Sequence, residues 1–125
     1  MGRWFLVLTA IVFVGFGLWG LLSPLAMVEN FGVTLGGADG MTMIRASYGG
    51  FLIGEGALFG WCALSKNRLF FGLMSVVILT TPIFLSRVTG LVVDGATSPY
   101  HKAYLAIELA GIILALLFLR KVVRP

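Results

Sequence analysis

Long apolar segments alternate with short polar connections along this chain of 125 residues. A helix needs ~20 apolar residues to cross the ~30 Å hydrocarbon core of a bilayer, and each apolar segment has about this length. The pattern therefore predicts an all-α protein, a single membrane domain of residues 1–125 built as an antiparallel bundle of four transmembrane helices. The predicted spans cover residues 4–22, 43–64, 69–89 and 101–119.

The first segment, Trp4–Leu22, has a competing interpretation as the apolar part of a signal peptide. Signal peptides carry an apolar run of about 7–15 residues followed by a cleavage site with small residues. The run here is longer, and no such site follows it. We therefore expect this segment to be retained as a membrane span.

Composition supports a lipid environment rather than an aqueous one. Hydrophobic residues make up 59% of the chain and charged residues 11%, whereas a soluble domain carries roughly 25% charged residues. The net charge is +4. Most of the basic residues lie at the ends of the predicted spans, as membrane topology requires, so this charge does not indicate a nucleic-acid partner. The single cysteine, Cys62, excludes an intrachain disulfide and a cysteine-based metal cluster.

Basic residues lie at alternate connections, which predicts the orientation of the bundle. Acidic residues occupy the other two connections, at Glu29, Asp39 and Asp94. Because basic loops stay in the cytoplasm, both termini are expected on the cytoplasmic side. The basic residues are Arg3 before the first span, Lys66 and Arg68 between the second and third, and Arg120, Lys121 and Arg124 after the fourth.

Two Ser-Pro pairs mark predicted helix starts. Serine is a good N-cap residue and proline is favoured at the first helical position. Ser23-Pro24 therefore predicts a short helix at the membrane interface after the first span, and Ser98-Pro99 predicts the start of the fourth helix.

Polar residues inside the spans form the candidate site. On an ideal α-helix, Tyr48 and Glu55 lie within ~20° of each other because they are seven residues apart. His101, Tyr104 and Glu108 share a stripe on the fourth helix in the same way. Polar stripes in membrane helices usually face the bundle interior or a cavity. With two arginines near the outer helix ends, the predicted ligand-binding or structural cluster is Arg45, Tyr48, Glu55, Arg87, His101, Tyr104 and Glu108.

Helical rise gives the depth of each charged group. At ~1.5 Å per residue, Glu108 lies within reach of Arg45 or Arg87, and an ion pair with one of them is the first structural hypothesis. Glu55 lies ~15 Å along its helix from Arg45, too far to pair with it. For both arginines and Glu108, we favour a structural ion pair over catalysis.

Glu55 is expected to be protonated, because burial disfavours the charged form of a carboxyl group. Pro82 removes the backbone partner of the Ile78 carbonyl, so Glu55 is predicted to donate a hydrogen bond to that carbonyl, to Thr80 or to Thr81. A proton relay or ligand contact through Glu55 is the alternative. His101 is interpreted as a neutral interfacial residue. It has no carboxylate at helical ligand spacing, so no metal site is predicted.

Glycines at four-residue spacing follow the second helix. Gly50-x-x-x-Gly54 and Gly56-x-x-x-Gly60 allow close approach of a neighbouring backbone. We favour packing inside the bundle as their role over dimerisation. Cys62 is interpreted as an inert buried thiol, with acylation as the alternative.

Short motifs distributed over about four-fifths of the chain resemble a bacterial family of small four-helix membrane proteins, domain of unknown function 4345. A looser likeness to DoxX-like proteins is an analogy of fold. The resemblance implies the four-helix architecture and the bacterial inner membrane, and it implies no particular activity. The motifs are Phe31-Gly32, Arg45-x-x-Tyr48-Gly49-Gly50, Arg87-x-x-Gly90, Asp94-Gly95 and Glu108.

The favoured function is non-enzymatic: an accessory, scaffolding or assembly subunit that packs against other membrane proteins or against itself. Small size, short loops and glycine-lined helices favour it, and no catalytic set or cofactor motif is recognisable. The alternative is a binding or transport module for a small amphiphile, a lipid or a quinone, in an outward-opening polar pocket. A third interpretation is a membrane enzyme that uses Glu55 or Glu108 with His101 for acid–base chemistry.

Overall fold

The structure, a computed structural model, describes residues 1–124. These residues form six α-helices and no β-strand. Short 3₁₀ turns cover Glu29–Phe31 and Lys66–Arg68, and a π-helical segment, Arg45–Gly50, joins α3 to α4. The α-helices are α1 (Gly2–Leu22), α2 (Pro24–Val28), α3 (Ala38–Ile44), α4 (Phe51–Ala63), α5 (Leu69–Val93) and α6 (Pro99–Val123).

Among residues 1–124, three helical stretches are long and apolar enough to cross a membrane. They are Gly2–Leu22, Lys66–Val93 and Pro99–Val123. These stretches correspond to the first, third and fourth predicted spans, and each extends beyond the predicted bounds. The chain is therefore a helical membrane protein.

The second predicted span, residues 43–64, is not one regular α-helix. Helix α3, the π-helical segment and α4 follow one another without a break from Ala38 to Ala63, and α4 alone has 13 residues, about 20 Å at 1.5 Å per residue. The π-helical segment lies against the end of α1: a Cβ placed on Gly49 would be 2.9 Å from the backbone nitrogen of Leu21. The wider turn thus occurs where this segment meets α1.

Glycines bring the helix backbones close together. A Cβ on Gly56 of α4 would lie 2.6 Å from Cγ2 of Val14 and 2.9 Å from the carbonyl oxygen of Ala10, both in α1. A Cβ on Gly72 of α5 would lie 2.6 Å from Cβ of Cys62. These contacts pack α1 against α4, and α4 against α5 at the Cys62 end of α4.

The buried apolar core lies in the same half of the bundle. Phe59, Leu6 and Leu73 are fully buried, and Phe59 meets Phe13 edge to face at 5.1 Å between ring centroids. Large apolar side chains elsewhere, such as Ile11 and Ile78, are exposed, as expected where a helix faces lipid. The buried core comprises Leu6, Ala10, Phe59, Cys62, Ala63, Leu73, Val76, Ala115 and Leu119.

Most charged residues outside the long helices lie at the two ends of the bundle, and Lys102, in the first turns of α6, is a basic residue at the end with acidic side chains. The basic end is where α1 begins, α4 meets α5 and α6 finishes; it carries Arg3, Lys66, Arg68, Arg120, Lys121 and Arg124. The opposite end carries the acidic side chains of Glu29, Asp39 and Asp94. We call these the basic end and the acidic end.

The two Ser-Pro pairs behave differently, although a helix with proline at its first position follows each of them. The hydroxyl of Ser98 accepts a hydrogen bond from the backbone nitrogen of Tyr100 at 3.3 Å, which confirms the predicted cap of α6. Ser23 is the N-cap residue of α2, as predicted, but within the described residues its side chain makes no cap hydrogen bond. Ser23 also closes α1, since its backbone N–H donates to the carbonyl of Trp19 at 2.8 Å.

Candidate functional site: a polar groove at the acidic end

Arg87 is the centre of the polar cluster at the acidic end. Its Nε lies 3.1 Å from Oε1 and 3.3 Å from Oε2 of Glu108, and its Nη2 lies 2.9 Å from Oε1. The side chains are 21% and 13% exposed, respectively. This bidentate geometry is the strong form of an arginine–carboxylate pair. Of the two arginines within predicted reach of Glu108, the structure therefore selects Arg87.

His101 contacts the same guanidinium group. Nη1 of Arg87 lies 3.0 Å from Nδ1 of His101. A guanidinium can donate hydrogen bonds but cannot accept them, so Nδ1 accepts and the imidazole proton resides on Nε2. In this arrangement His101 has one N–H donor, on Nε2, left for another partner.

Aromatic rings hold the first turns of α6 in place. The guanidinium carbon of Arg87 lies 5.1 Å from the centroid of the Tyr104 ring, within the range of a cation–π contact. The Phe31 ring lies 4.9 Å from the His101 ring and 6.0 Å from Tyr104. Gly32, with φ of +74°, ends the turn that carries Phe31. The predicted cluster does not include Phe31, because this residue lies outside the predicted spans. The Phe31-Gly32 motif is the sequence feature that could have pointed to it.

A groove of about 470 Å³ opens beside this cluster. Tyr48 of the π-helical segment forms one wall, and successive turns of α5 form the other. Asp94, Ala96 and His101 lie at the end of the groove. The α5 residues that line it are Pro82, Ile83, Ser86, Arg87 and Gly90. The π-helical segment and α5 are therefore separated at the acidic end, whereas α4 and α5 are in contact at Cys62 and Gly72.

Arg45 is separate from the Arg87 cluster. Its Nη1 donates a hydrogen bond to the carbonyl oxygen of Leu21. The last carbonyls of an α-helix lack partners within the helix, and a cation is favourable at that end. Arg45 thus attaches the π-helical segment to the end of α1, and it does not contribute a charge to Glu108.

Tyr48 and Glu55 occupy different faces, against the prediction that they share one stripe. Tyr48 is 48% exposed, whereas Glu55 is 6% exposed. The prediction assumed an ideal helix of 3.6 residues per turn, but i→i+5 bonding in the π-helical segment widens the turn. Side chains on either side of that segment therefore lose the expected alignment.

Glu55 lies in the protein interior on the same stripe of α4 as Phe59 and Cys62. Its Oε2 is buried and has no hydrogen-bond partner within residues 1–124, so the predicted bond from Glu55 to α5 is not formed. The carbonyl proposed as its acceptor belongs to Ile78, whose side chain is 61% exposed on the outer face of α5. Thr80 is buried on the opposite face, which turns towards the core.

The four predicted packing glycines fall into two groups. Gly56 touches α1, and a Cβ on Gly60 would lie 3.7 Å from Cβ of Ala10. A Cβ on Gly50 or Gly54 would meet no atom of the described chain within 4 Å. Gly50 and Gly54 therefore face outward.

The groove offers hydrogen-bond donors from four side chains and an acceptor from Asp94. The donors are the remaining N–H groups of Arg87, Nε2–H of His101, and the hydroxyls of Tyr48 and Ser86. Such an arrangement can orient a polar head group while Pro82 and Ile83 contact an apolar tail. Among the described residues, no three His, Cys, Asp or Glu side chains are grouped as a metal site requires.

A family model described as a domain of unknown function (DUF4345) matches residues 1–119 of the chain. The protein belongs to the DUF4345 family. The match confirms the resemblance drawn from the sequence motifs, and it contains every residue of the groove and of the Arg87 cluster. Comparison of this DUF4345 protein with curated proteins and with solved structures gives no match.

Proposed function

We propose that this DUF4345 protein binds a small amphiphile, of the lipid or quinone class, in the groove between the π-helical segment and α5. The observation that carries the proposal is a cavity of about 470 Å³ with Arg87 and His101 at its margin. Ligand sites are typically apolar clefts of about 300–1,000 Å³ with a few placed polar groups, and this groove has that composition.

Charge balance indicates the kind of head group. Glu108 neutralises Arg87, Nδ1 of His101 accepts from the guanidinium, and Asp94 adds a carboxylate at the end of the groove. The site therefore presents N–H donors without a net positive charge. A carbonyl, hydroxyl or ester oxygen suits these donors, as in a quinone or a glycerolipid.

The topology that goes with this proposal is a four-span protein in the bacterial inner membrane. Helix α3, the π-helical segment and α4 together form the second span, and both termini lie in the cytoplasm. The concentration of basic residues at one end supports this orientation. The groove then lies in the outer half of the bilayer and opens sideways to lipid.

A groove-filling variant tests the proposal. Ser86 lines the groove, and the neighbouring Leu85 is 56% exposed on the surface of α5. Ser86→Phe fills the groove, whereas Leu85→Phe places the same aromatic ring on the lipid-facing surface as a control. Each protein is purified from membranes in detergent, and its retained small molecules are extracted and identified by mass spectrometry.

The expected result is one amphiphile retained near stoichiometry by the native protein and by Leu85→Phe. Retention should fall about fivefold or more in Ser86→Phe, since the side chain occupies the space of the ligand. Absence of a specific amphiphile in the native protein, or equal retention by both variants, would refute the proposal.

A second candidate function is an accessory subunit that packs against another membrane protein or a second copy. The observation that favours it is the outward face of α4, where Gly50 and Gly54 would admit a partner helix at close range. Gly54→Leu should then abolish a copurifying partner or a cross-linked dimer. Unchanged copurification after this substitution would reject the role of this face.

The acid–base enzyme interpretation receives less support. It requires Glu55 or Glu108 beside His101 in a cavity open to substrate. The carboxylate at the groove is that of Asp94, and both oxygens of Glu108 are occupied by Arg87. We therefore assign no catalytic residue.

A further inference from the structure

Within residues 1–124, two arginines at the basic end, Arg120 and Arg124, form no ion pair. Both are exposed, Arg120 in the last turn of α6 and Arg124 at its C-cap. Both line the same grooves, so their like charges repel each other. The ion pair found within residues 1–124 is that of Arg87 with Glu108, which lies towards the other end of the bundle. An anion between Arg120 and Arg124 would relieve this repulsion.

The same two arginines border an apolar groove between α5 and α6. The groove has a volume of about 360 Å³, and Phe70, Met74 and Leu116 form its walls. From Leu116 to Arg124 the helix rises ~12 Å, so the apolar walls lead directly to the charged rim. A second groove of about 340 Å³, on the other side of α6, shares Arg120 and Arg124 at its rim.

We propose that the groove between α5 and α6 binds an anionic phospholipid, whose phosphate lies between Arg120 and Arg124 while an acyl chain lies against Phe70, Met74 and Leu116. Arginine binds phosphate oxygens through paired N–H donors, and basic pockets between helices at a membrane surface bind anionic head groups. This site is separate from the groove at Arg87, and it does not depend on the proposed function.

The other basic residues of this end are arranged differently. The guanidinium carbon of Arg68 lies 4.2 Å from the Trp61 ring centroid, and Nζ of Lys121 lies 5.9 Å from the centroid of Phe118. Arg3 and Lys66 are exposed outside the groove. Arg3 and Lys66 therefore supply a control pair with equal charge at the same end.

Native mass spectrometry of the detergent-solubilised full chain tests the site. The protein is incubated with equal amounts of a phosphatidylglycerol and a phosphatidylcholine that carry the same acyl chains, and the ratio of bound lipids is measured. A basic residue near an anionic lipid contributes about fivefold to binding, so we expect phosphatidylglycerol to be favoured about tenfold or more. The double variant Arg120→Gln/Arg124→Gln should reduce that preference to about onefold to twofold.

The first of two further comparisons separates a built site from general attraction, and the second tests whether the preference is electrostatic. Arg3→Gln/Lys66→Gln removes the same charge and should retain most of the preference. Raising NaCl from about 50 to 500 mM should reduce the preference of the native protein several-fold, because salt screens exposed charges. This measurement needs no variant, so it stands even if a variant does not fold. No preference in the native protein, or equal losses in the two double variants, would overturn the proposal.

Discussion

The ion pair of Arg87 with Glu108 allows the most quantitative test of the structure. Two unit charges about 4 Å apart attract by about 4 kcal/mol at an effective dielectric constant of 20. The side chains are 21% and 13% exposed, so solvent screening lowers this value, and we expect a coupling free energy of about 2 kcal/mol. Glu108→Gln alone should lower the free energy of unfolding by about 3 kcal/mol, because it leaves a largely buried guanidinium without its counter-ion.

A double-mutant cycle isolates the coupling. Glu108→Gln, Arg87→Gln and the double variant are unfolded in detergent with increasing denaturant, and helicity is followed by circular dichroism. The double variant should be about 2 kcal/mol more stable than the sum of the single losses implies. Lys102→Gln, an exposed basic residue of α6, should change the free energy by less than about 0.5 kcal/mol. A coupling below about 0.5 kcal/mol would refute the ion pair.

Three further predictions use matched substitutions and the same unfolding measurement. Gly56→Leu should lower the free energy of unfolding by about 3 kcal/mol, because even a Cβ would lie 2.9 Å from a backbone oxygen of α1. Gly54→Leu should lower it by less than about 0.5 kcal/mol. Equal losses in the two variants would contradict the faces assigned to these glycines. Glu55→Leu should stabilise the protein by about 1 kcal/mol, since Oε2 is buried without a partner within residues 1–124, and a large loss would reveal a bond to Glu55. Ser98→Ala should lower the free energy of unfolding by about 1 kcal/mol through loss of the cap hydrogen bond, whereas Ser23→Ala should leave it nearly unchanged. A larger loss for Ser23→Ala than for Ser98→Ala would contradict the difference described between the two helix starts.

The sequence was sufficient for features that depend on helix length and rise alone. Apolar length identified three membrane helices, and the Ser98-Pro99 pair located the start of α6. The rise per residue along the third and fourth predicted helices placed Arg87 and Glu108 at depths that allow contact between them. These inferences hold because α5 and α6 are long and contain α-helical turns throughout.

Features set by contacts between helices could not be predicted in the same way. The π-helical segment changes the faces of Tyr48 and Glu55, and it occurs where Gly49 meets Leu21 of α1. Four-residue glycine spacing identified Gly50 and Gly54, which face outward, but did not distinguish them from Gly56, which packs. Spacing along one helix does not show which face a neighbouring helix covers.

Arg45 illustrates the same limit for polar groups. The predicted depth of Arg45 along its helix allowed it to pair with Glu108. In the structure Arg45 instead donates a hydrogen bond to the carbonyl oxygen of Leu21 at the end of α1. That acceptor is a backbone group exposed by the end of another helix, so side-chain identities do not reveal it. Arg45 thereby holds the segment that carries Tyr48 beside the groove.

Site-resolved photolabelling tests the central claim, amphiphile binding in the groove at Arg87, most directly. The native protein is irradiated in membranes with a diacylglycerol that carries a diazirine on one acyl chain, and the labelled residues are identified by mass spectrometry. Labels should concentrate on Tyr48, Ile83 and Ser86, and Ser86→Phe should abolish this concentration while Leu85→Phe preserves it. Labels spread evenly over the lipid-facing residues of all the helices would contradict the claim.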